Sequence, residues 1–586
     1  MEYKNLTNLY EKIESTSKRL EKTYLVSEFL KQTDIDDLPK ITLLLQGRIF
    51  PSYDDRKVGV ATKMVIKALN KSLGISPDNI EDEWKKTGDL GLTAENLTKK
   101  KKQVTLFSQT LTVTKVFANL QKLATLEGSG TVTHKIALIS ELLTSASPLE
   151  ARYVIRTVLE DLRVGIGEGV LRDAIVWSSF EDSIHINYDL EKKNISPENR
   201  ELYNAYVEAV QGAYDILNDF AKVAEIARTS GLTALKSVSL ETGKPVKVML
   251  YQKVKGIEEA FGKVGKPAAF EYKYDGFRVQ IHKVKGKIKV FTRRLEEVTS
   301  QFPEVVKYVD AHVKGDEFII DAECVGFNPK SKKYLPFQNI SQRIKRKYDI
   351  KEVADKFPVE VNVFDILCYN GESLIKKTFD ERRKLIEEMI TAEPYKIMPA
   401  KQIITADEEE ARKFYQEALD SGNEGVMAKN LDGIYKPGSR VGYGVKVKPV
   451  MESLDLVIVA AEWGEGKRSG WFTSFRLACY DPDTGAFKEI GKVGTGMKEK
   501  AELGVSFEEL TNLLKPHVTK EKGRNVTVKP TIVVEINFEE IQKSPNYDSG
   551  YALRFPRVIR IREDRAPEEC SDLGLVEDLY STQRSR

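Results

Sequence analysis

The hydrophobic period of this chain changes along its length, and the change limits which kind of domain each part can form. Up to about residue 225, apolar residues recur every three to four positions, as at Leu9, Tyr10 and Ile13, which is typical of amphipathic helices. From about residue 226 the period becomes two, as in Lys287-Ile288-Lys289-Val290-Phe291, which predicts half-buried strands. The sequence therefore predicts helices first and sheets afterwards.

At 586 residues the chain is too long for one hydrophobic core, because single domains usually hold roughly 100–150 residues. We therefore predict a multidomain protein with three parts. Residues 1–225 form an all-α domain, and residues 226–430 form an α+β domain with antiparallel sheets. Residues 431–586 are strand-rich again and form a smaller β domain.

The most informative stretch is Glu271-Tyr272-Lys273-Tyr274-Asp275-Gly276-Phe277-Arg278. Strand-like residues flank it on both sides, and the Asp-Gly pair between them predicts a hairpin turn. A free lysine has a pKa of about 10.4, so Lys273 can attack an electrophile only if burial or neighbouring cations lower that pKa. An isolated Lys-x-Asp-Gly also fits a surface lysine on a hairpin, so the surrounding sequence must decide.

Six further stretches follow Lys273 in order. They are Thr292-Arg293-Arg294, Asp321-Ala322-Glu323-Cys324-Val325, Val363-Phe364-Asp365-Ile366-Leu367, Glu424-Gly425-Val426-Met427-Ala428-Lys429, Lys446-Val447-Lys448, and Arg554-Phe555-Pro556-Arg557 with Asp564-Arg565. Together with the lysine segment, this series resembles the covalent nucleotidyltransferases, the family of DNA ligases, RNA ligases and mRNA capping enzymes. The resemblance covers about residues 245–566, and the helical start resembles the amino-terminal domain of ATP-dependent DNA ligases of the archaeal and eukaryotic replicative type.

The resemblance implies both a fold and a reaction. It implies a helical DNA-binding domain at 1–225, an adenylation (nucleotidyltransferase) domain at 226–430 and a β-barrel OB-fold domain at 431–586. It further implies that Lys273 takes AMP from ATP, that AMP passes to the 5′-phosphate at a nick, and that the 3′-hydroxyl then displaces AMP. Such an enzyme seals nicks in duplex DNA during replication, repair and recombination.

Two other classes of protein remain as alternatives. An RNA ligase or a capping-type nucleotidyltransferase shares the covalent chemistry, but neither explains the helical first 225 residues. A non-enzymatic DNA-binding protein would explain the helices and the basic runs, but it leaves the ordered lysine, glutamates and arginines without a role.

By resemblance, the motif residues share three tasks around ATP. Adenine is held by Glu271 and by the ring of Phe364, and Mg²⁺ or ribose is held by Glu323, with Glu424 as a second metal ligand. The phosphates and ribose are contacted by basic side chains, namely Arg278, Arg293, Arg440, Lys446 and Lys448. Arg554, Arg557 and Arg565 are expected to orient the leaving pyrophosphate.

Each of these residue types also has an ordinary structural explanation. Phe364 lies in an apolar strand and would otherwise be a core residue, and each glutamate would otherwise form a salt bridge. Lys446 and Lys448 alternate across Val447, so a strand would place both ammonium groups on one face, where they can lower the pKa of Lys273.

Composition narrows the nucleotide donor and the location. The NAD-dependent ligases normally carry a four-cysteine zinc module, whereas the four cysteines here are scattered and there are only five histidines. ATP is therefore the expected donor. No apolar run approaches the roughly 18 residues that span a bilayer, and the start does not resemble a signal peptide, so we expect a cytoplasmic protein that contacts no membrane.

The expected partner is nicked double-stranded DNA, although the net charge is only +3 and the affinity must come from local patches. Glycines 165, 167 and 169 precede a predicted helix and could expose amides to a phosphate, or could form only a tight turn; Gly88-Asp89-Leu90-Gly91 is a weaker case. Basic runs occur at Lys99-Lys100-Lys101-Lys102 and Arg343-Ile344-Lys345-Arg346-Lys347.

One segment predicts a protein partner. Gln103-Val104-Thr105-Leu106-Phe107 resembles the sliding-clamp-binding segment of archaeal ligases, although an ordinary lead-in to the next helix explains it equally well. We expect the protein itself to be a monomer.

Overall fold

The structure is a computed structural model, in which the chain divides into two compact units. The first unit comprises Met1–Gln252, Gly276–Lys401 and Lys429–Gly444, and the second comprises Lys253–Asp275, Gln402–Ala428 and Val445–Arg586. The residues described are 1–54, 56–100, 109–128, 130–189, 191–335, 340, 343–344, 350–438, 440–449, 453–464, 468, 470–499 and 505–584, with only the backbone at 440, 441 and 584.

The amino-terminal part of the first unit is helical, as the three-to-four spacing predicts. Its helices share one buried core that includes Tyr3, Tyr10 and Tyr153. They are α1 (Tyr3–Glu14), α2 (Arg19–Lys31), α3 (Leu38–Leu45), α4 (Thr62–Leu73), α5 (Pro77–Thr87), α6 (Leu90–Lys99), α7 (Val113–Thr125), α8 (Thr131–Ser145), α9 (Pro148–Val158), α10 (Glu168–Ser179), α11 (Glu181–Ile184), α12 (Arg200–Leu217), α13 (Phe220–Thr229) and α14 (Gly231–Lys236). One short antiparallel pair, β1 (Ile186–Asp189) with β2 (Asn194–Pro197), interrupts them.

Local sequence signals set the ends of these helices. Helix α9 starts with a capping box in which Ser147 accepts from the amide of Glu150 and the Glu150 side chain accepts from the amide of Ser147, and Pro148 occupies the first turn. This helix start is confirmed as predicted. Helix α10 then begins directly after Gly167, which is its N-cap residue.

A six-stranded sheet forms the rest of the first unit. Its strands are β5 (Phe277–Val284), β6 (Lys287–Thr292), β7 (Phe318–Gly326), β8 (Val359–Tyr369), β9 (Glu372–Ser373) and β10 (Ile397–Pro399), in the order β10-β8-β7-β5-β6, with β9 paired to β8. All pairs are antiparallel except β10 with β8, which is parallel. Helices α16 (Pro303–His312), α17 (Ile350–Lys356) and α18 (Phe379–Met389) accompany it. Val279, Ile320 and Val361 are fully buried in its core.

A second sheet carries Lys273. Its order is β11 (Gln402–Thr405), β4 (Ala268–Lys273), β12 (Gly425–Asn430), β13 (Arg440–Val447) and β3 (Leu250–Val254). Strands β11 and β4 belong to the second unit, and the chain passes between the units within the other three strands. Helices α15 (Ile257–Val264) and α19 (Glu408–Asp420) belong to the second unit as well.

The predicted strands on both sides of Lys273 are confirmed, but the predicted hairpin is wrong. Strand β4 pairs with β11 and β12 on its two sides, which leaves no free edge for β5, and β5 pairs with β6 and β7 instead. Gly276 serves a close approach, because a Cβ at this position would collide with the carbonyl oxygen of Cys324. The Asp-Gly pair therefore carries the chain from one sheet into another.

The carboxyl-terminal part of the second unit is rich in antiparallel strands. A seven-stranded sheet has the order β16 (Ala486–Val493), β15 (Phe472–Asp481), β14 (Leu454–Trp463), β18 (Asn525–Val528) and β17 (Val518–Lys522), and β19 (Val533–Asn537) joins β14 to β22 (Arg557–Ile561). Strands β20 (Glu540–Lys543) and β21 (Tyr551–Arg554) form a separate pair, with helices α20 (Phe507–Leu514) and α21 (Leu573–Arg584) nearby in the chain. Among the residues described, none of the helices is long and apolar enough to cross a bilayer.

Candidate active site

Lys273, at the end of β4, shares one carboxylate with another lysine of the second unit. Its Nζ lies 2.6 Å from Oε2 of Glu424, and Lys448 contacts the same oxygen. The backbone supports the pair, since the amide of Glu424 donates to the carbonyl of Lys273 at 2.8 Å. Gly425 follows with φ +138°, at a point where a Cβ would collide with the carbonyl oxygen of Val447. The lysine side chain is 21% exposed, so it is mostly buried but not closed off from solvent.

The two lysines determine the charge of Glu424. Burial alone would raise the pKa of this carboxyl, but the ammonium groups of Lys273 and Lys448 outweigh it and lower the pKa to about 2. Glu424 is therefore an ionised carboxylate at neutral pH, and the group of three side chains carries one net positive charge. Such a group attracts an anion such as a triphosphate.

Glu271 lies two residues before Lys273 on the same strand, so both side chains leave β4 on one face. Its side chain is buried, at 2% exposure. The carboxylate Oε1 accepts from Nε2 of Gln402 at 3.0 Å, and the two residues are direct partners across β4 and β11. Gln402 was not predicted as a site residue, and only its cross-strand position identifies it.

Lys446 and Lys448 are placed as the alternation predicts. Val445 and Val447 are buried at 1% exposure each, so the intervening and following lysines leave the strand on the opposite face. Lys448 also lies 3.6 Å from Glu539 in the carboxyl-terminal part of the second unit. Arg440, another predicted phosphate contact, begins β13 and is described only by its backbone.

The arginines of the last motif differ in their surroundings. Nη1 of Arg554 lies 3.0 Å from Oε2 of Glu540. Burial would lower the pKa of Arg554, but Glu540 raises it, with smaller contributions from the charges of Glu424 and Asp275. The charge of Glu424 therefore acts on Arg554. Arg565 instead pairs with Asp455 at 3.1 Å, and Arg557 is exposed.

Arg278 belongs to a separate cluster in the first unit. Its Nη2 donates to Oδ2 of Asp321 at 2.5 Å and to the hydroxyl of Tyr435 at 3.1 Å. The Tyr435 hydroxyl in turn donates to Asp321 at 2.9 Å, and both partners are buried. The sequence did not predict a role for Asp321 or Tyr435. Asp321 begins the segment Asp321–Val325 that resembles a family motif, but no local pattern distinguishes Tyr435.

Phe364 lies in the same cluster, on β8. The Arg278 guanidinium carbon is 5.0 Å from the centre of its ring, and Nζ of Lys429 is 5.1 Å from it. The ring is only partly buried, so it is available for stacking and is not an ordinary core residue. Lys429 also donates to the carbonyl of Phe364 at 3.3 Å, which fixes this backbone.

The other two predicted nucleotide contacts also belong to the first unit. Glu323 is partly buried on β7, directly across from Arg278 on β5. Arg293 is exposed in the turn that follows β6. Within the described part of the chain there is no group of three or more His, Cys, Asp or Glu side chains that could hold a metal ion by itself.

The two loops of the helical part that were predicted to bind phosphate contact different side chains. At Gly165, with φ +70°, Nζ of Lys22 donates to the carbonyls of Val164 at 2.6 Å and Gly165 at 3.4 Å, so a basic side chain closes this loop. At the Gly88-Asp89-Leu90-Gly91 turn, Asp89 itself accepts from the amide of Gly91 at 2.7 Å. That helix start is already occupied by a carboxylate, which explains the turn as a helix cap.

Comparison with known proteins identifies relatives along the whole chain. Three family models match: "DNA ligase N terminus" at 2–176, "ATP dependent DNA ligase domain" at 248–448 and "ATP dependent DNA ligase C terminal region" at 468–565. A DNA ligase of Nanoarchaeum equitans is 47% identical over 586 residues, covering 100% of this chain and 99% of the relative. A DNA ligase of Thermococcus fumicolans is 40% identical over 583 residues, covering 100% and 99%.

A solved structure named "Pmar-Lig_PreS3" has a similar fold. It superimposes with a TM-score of 0.55 at 16% identity, covering 95% of this chain and 99% of that one. At this identity the likeness concerns the fold alone.

Proposed function

We propose that Lys273 is the nucleophile of this chain, which belongs to the family of ATP-dependent DNA ligases. The observation that supports this role is the 2.6 Å contact between Nζ and Glu424, a partly exposed carboxylate that Lys448 also contacts. In the first step Nζ forms a bond to the α-phosphorus of ATP, and the bond to the bridging oxygen breaks as pyrophosphate leaves. AMP then passes to the 5′-phosphate of a DNA nick, and the 3′-hydroxyl displaces it.

The shared carboxylate suggests how the chain prepares the attack. Glu424 contacts both Lys273 and Lys448, so it holds the nitrogen of Lys273 close to a second cation that can pair with a phosphate. In the proposed reaction the phosphates of ATP compete with Glu424 for Lys448, because both are anions that pair with an ammonium. Lys446, on the same face of β13, adds positive charge for the α-phosphate.

The site fits Mg²⁺, the expected cofactor. Mg²⁺ is usually held by one or two carboxylates together with substrate phosphates and water, and Glu424 supplies one ionised carboxylate. Because the Lys273, Glu424 and Lys448 group carries a net positive charge, Glu424 would hold the ion only together with the phosphates of the nucleotide. When bound, Mg²⁺ would neutralise charge on the phosphates. Glu323 is the second proposed ligand.

The remaining nucleotide contacts follow from the family motifs. We assign adenine to Glu271 and Phe364, and the ribose and phosphates to Arg278, Arg293 and Glu323. The nearby charges of Arg554 and Glu424 support a role for Arg554 in orienting pyrophosphate. Arg440 is proposed as a further phosphate contact, alongside Lys446 and Lys448.

We also propose the architecture, the oligomeric state, the location and the partners of the chain. We propose that the carboxyl-terminal sheet is an OB-fold barrel and that the domain boundaries lie near residues 225 and 430. A monomer in the cytoplasm that acts on nicked duplex DNA fits these assignments. The clamp-binding segment 103–107 lies outside the described residues, as do Lys101, Lys102 and 345–347 of the two basic runs, so these contacts remain predictions.

The test is formation of a covalent protein–AMP species from labelled ATP. The Lys273→Ala variant should form none, because the attacking nitrogen is gone. A matched control is Lys266→Ala, which removes another lysine of the second unit that pairs with a glutamate, Glu408, at 3.0 Å. The control should label as the unmodified protein does. Labelling of Lys273→Ala at the normal rate would disprove the assignment.

A further inference from the structure

Strand β11 presents one polar side chain to the proposed adenine site. Nε2 of Gln402 donates to Oε1 of Glu271 at 3.0 Å, across a direct antiparallel pair. Glu271 is buried, and Gln402 is partly buried. On β4, Glu271 leaves the strand on the same face as Lys273, so this pair lies two residues from the proposed nucleophile.

The chemistry of the pair fixes the orientation of the Gln402 amide. An ionised carboxylate can only accept hydrogen bonds, whereas a glutamine amide has one end that donates and one that accepts. Because Glu271 needs a donor, Gln402 must turn Nε2 toward it and Oε1 away from it. With Nε2 used in this hydrogen bond, the acceptor oxygen Oε1 is the end of the Gln402 amide that can meet a donor on a ligand.

We propose that Gln402 is a specificity-determining residue that, together with Glu271, selects a purine with an amino group at position 6. This inference rests on the proposed adenylation at Lys273. Adenine carries N–H donors on its 6-amino group, which match the acceptor end of the Gln402 amide, whereas guanine and hypoxanthine carry an acceptor oxygen there. The acceptor end of the amide repels that oxygen, and the hydrogen bond to Glu271 prevents the amide from turning its donor end toward it.

The assignment predicts a selective loss. A single-turnover assay would measure formation of the covalent protein–nucleotide species with ATP, with inosine triphosphate and with purine riboside triphosphate, which has only hydrogen at position 6. In the Gln402→Leu variant, the ratio of the ATP rate to the purine riboside triphosphate rate should fall about 3- to 10-fold, the effect of one hydrogen bond. The preference for ATP over inosine triphosphate should fall as well.

Gln416→Leu is the matched control. Gln416 also donates Nε2 to a carboxylate of the second unit, Asp420, at 2.8 Å, but on the exposed side of α19. Its three rates should equal those of the unmodified protein. If Gln402→Leu slows all three nucleotides equally, or slows none, Gln402 does not read the base and the inference is wrong.

A second variant tests the orienting carboxylate. In Glu271→Gln two amides face each other and both can rotate, so a donor can reach the 6-oxo group and the preference for ATP over inosine triphosphate should narrow. An unchanged preference would contradict the inference even if Gln402→Leu does not fold. If the unmodified protein forms no covalent species with any of the three nucleotides, the role of Lys273 fails instead, which is a different result.

Discussion

The Lys273 cluster of the second unit and the Arg278 cluster of the first unit use a carboxylate in opposite ways. Glu424 is shared by two lysines whose side chains are 21% and 16% exposed. Asp321 is fully buried and holds one arginine, with Tyr435 as a third member. Lysine ammonium groups are compact charges on flexible stems, whereas a guanidinium is a planar fork that binds a carboxylate in a fixed geometry.

The difference indicates two roles within one proposed reaction. Two partly exposed lysines can exchange their shared carboxylate for a phosphate, and the carboxylate can then pair with a metal ion. A buried carboxylate with an arginine cannot lose its partner without leaving a charge unpaired. We therefore expect the Glu424 cluster to change partners during the reaction and the Asp321 cluster to keep its geometry.

The largest expected effect tests the fixed cluster. Asp321→Ala leaves the Arg278 guanidinium without its carboxylate, and it should lower the free energy of unfolding by about 3–5 kcal/mol. Chemical denaturation monitored by circular dichroism would measure it. The matched control is Asp564→Ala, which removes an exposed aspartate paired with Arg562 at 2.8 Å. That change should cost less than about 1 kcal/mol. If both variants lose the same free energy of unfolding, the buried Asp321–Arg278 pair stabilises the fold no more than an exposed pair does.

The second effect tests the exchangeable cluster. Glu424→Gln keeps the shape of the side chain but removes the charge, so it should slow protein–AMP formation about 100-fold, as loss of a preorganised charged group does. Its free energy of unfolding should fall by about 1–3 kcal/mol at neutral pH, because the folded state holds the pKa of Glu424 near 2 and the uncharged amide loses that stabilisation. Glu408→Gln, which removes the partner of Lys266, is the control for labelling. A large loss of stability with normal labelling would make Glu424 a structural residue.

Several parts of this organisation could be predicted from sequence because they depend on local signals. The capping box at Ser147 fixes a helix start through four neighbouring residues, and the alternation around Val447 fixes which face the lysines share. The order of the motifs predicted that Lys273 and Glu424 act in one enzyme, and both lie in the second unit in direct contact.

Other parts depend on pairing between distant segments and had no local signal. The Asp-Gly turn predicted a hairpin, but β4 already pairs with a strand on each side. One of these strands is β11, where Gln402 pairs with Glu271 across a sequence separation of 131 residues. Tyr435 joins Arg278 and Asp321 from a sequence separation of 157 and 114 residues. Such partners are set by strand order, which residue types alone do not encode.

A third carboxylate extends the comparison, because it is buried and forms no salt bridge with the cations that the structure describes. Asp215 on α12 is 7% exposed, and its Oδ1 accepts from Nε2 of Gln211, four residues earlier, at 2.9 Å. Burial raises the pKa of Asp215 to about 6, and neither the Gln211 hydrogen bond nor the charge of Lys247 offsets this. The folded state therefore holds a proton here that the unfolded chain, with a pKa of about 3.9, has already released between pH 4 and pH 6.

The sign of the pH effect follows from that difference. Stability should fall as pH rises from 4 to 6, and it should stay lower above pH 6, because ionised Asp215 is buried beside a neutral amide. Asp215→Asn imitates the protonated acid, so it should raise the free energy of unfolding by about 1–3 kcal/mol at pH 8 and change it little at pH 4. Denaturation curves at the two pH values measure this.

The chain contains a matched pair for this test. Gln416 donates to Asp420 at 2.8 Å with the same spacing of four residues, but on an exposed helix face. Asp420→Asn should therefore change the free energy of unfolding by less than about 0.5 kcal/mol at either pH. If Asp215→Asn behaves in the same way, burial without a cation carries no cost at this site. The differences among Glu424, Asp321 and Asp215 would then depend on how many cations contact each carboxylate, and not on how deeply each carboxylate is buried.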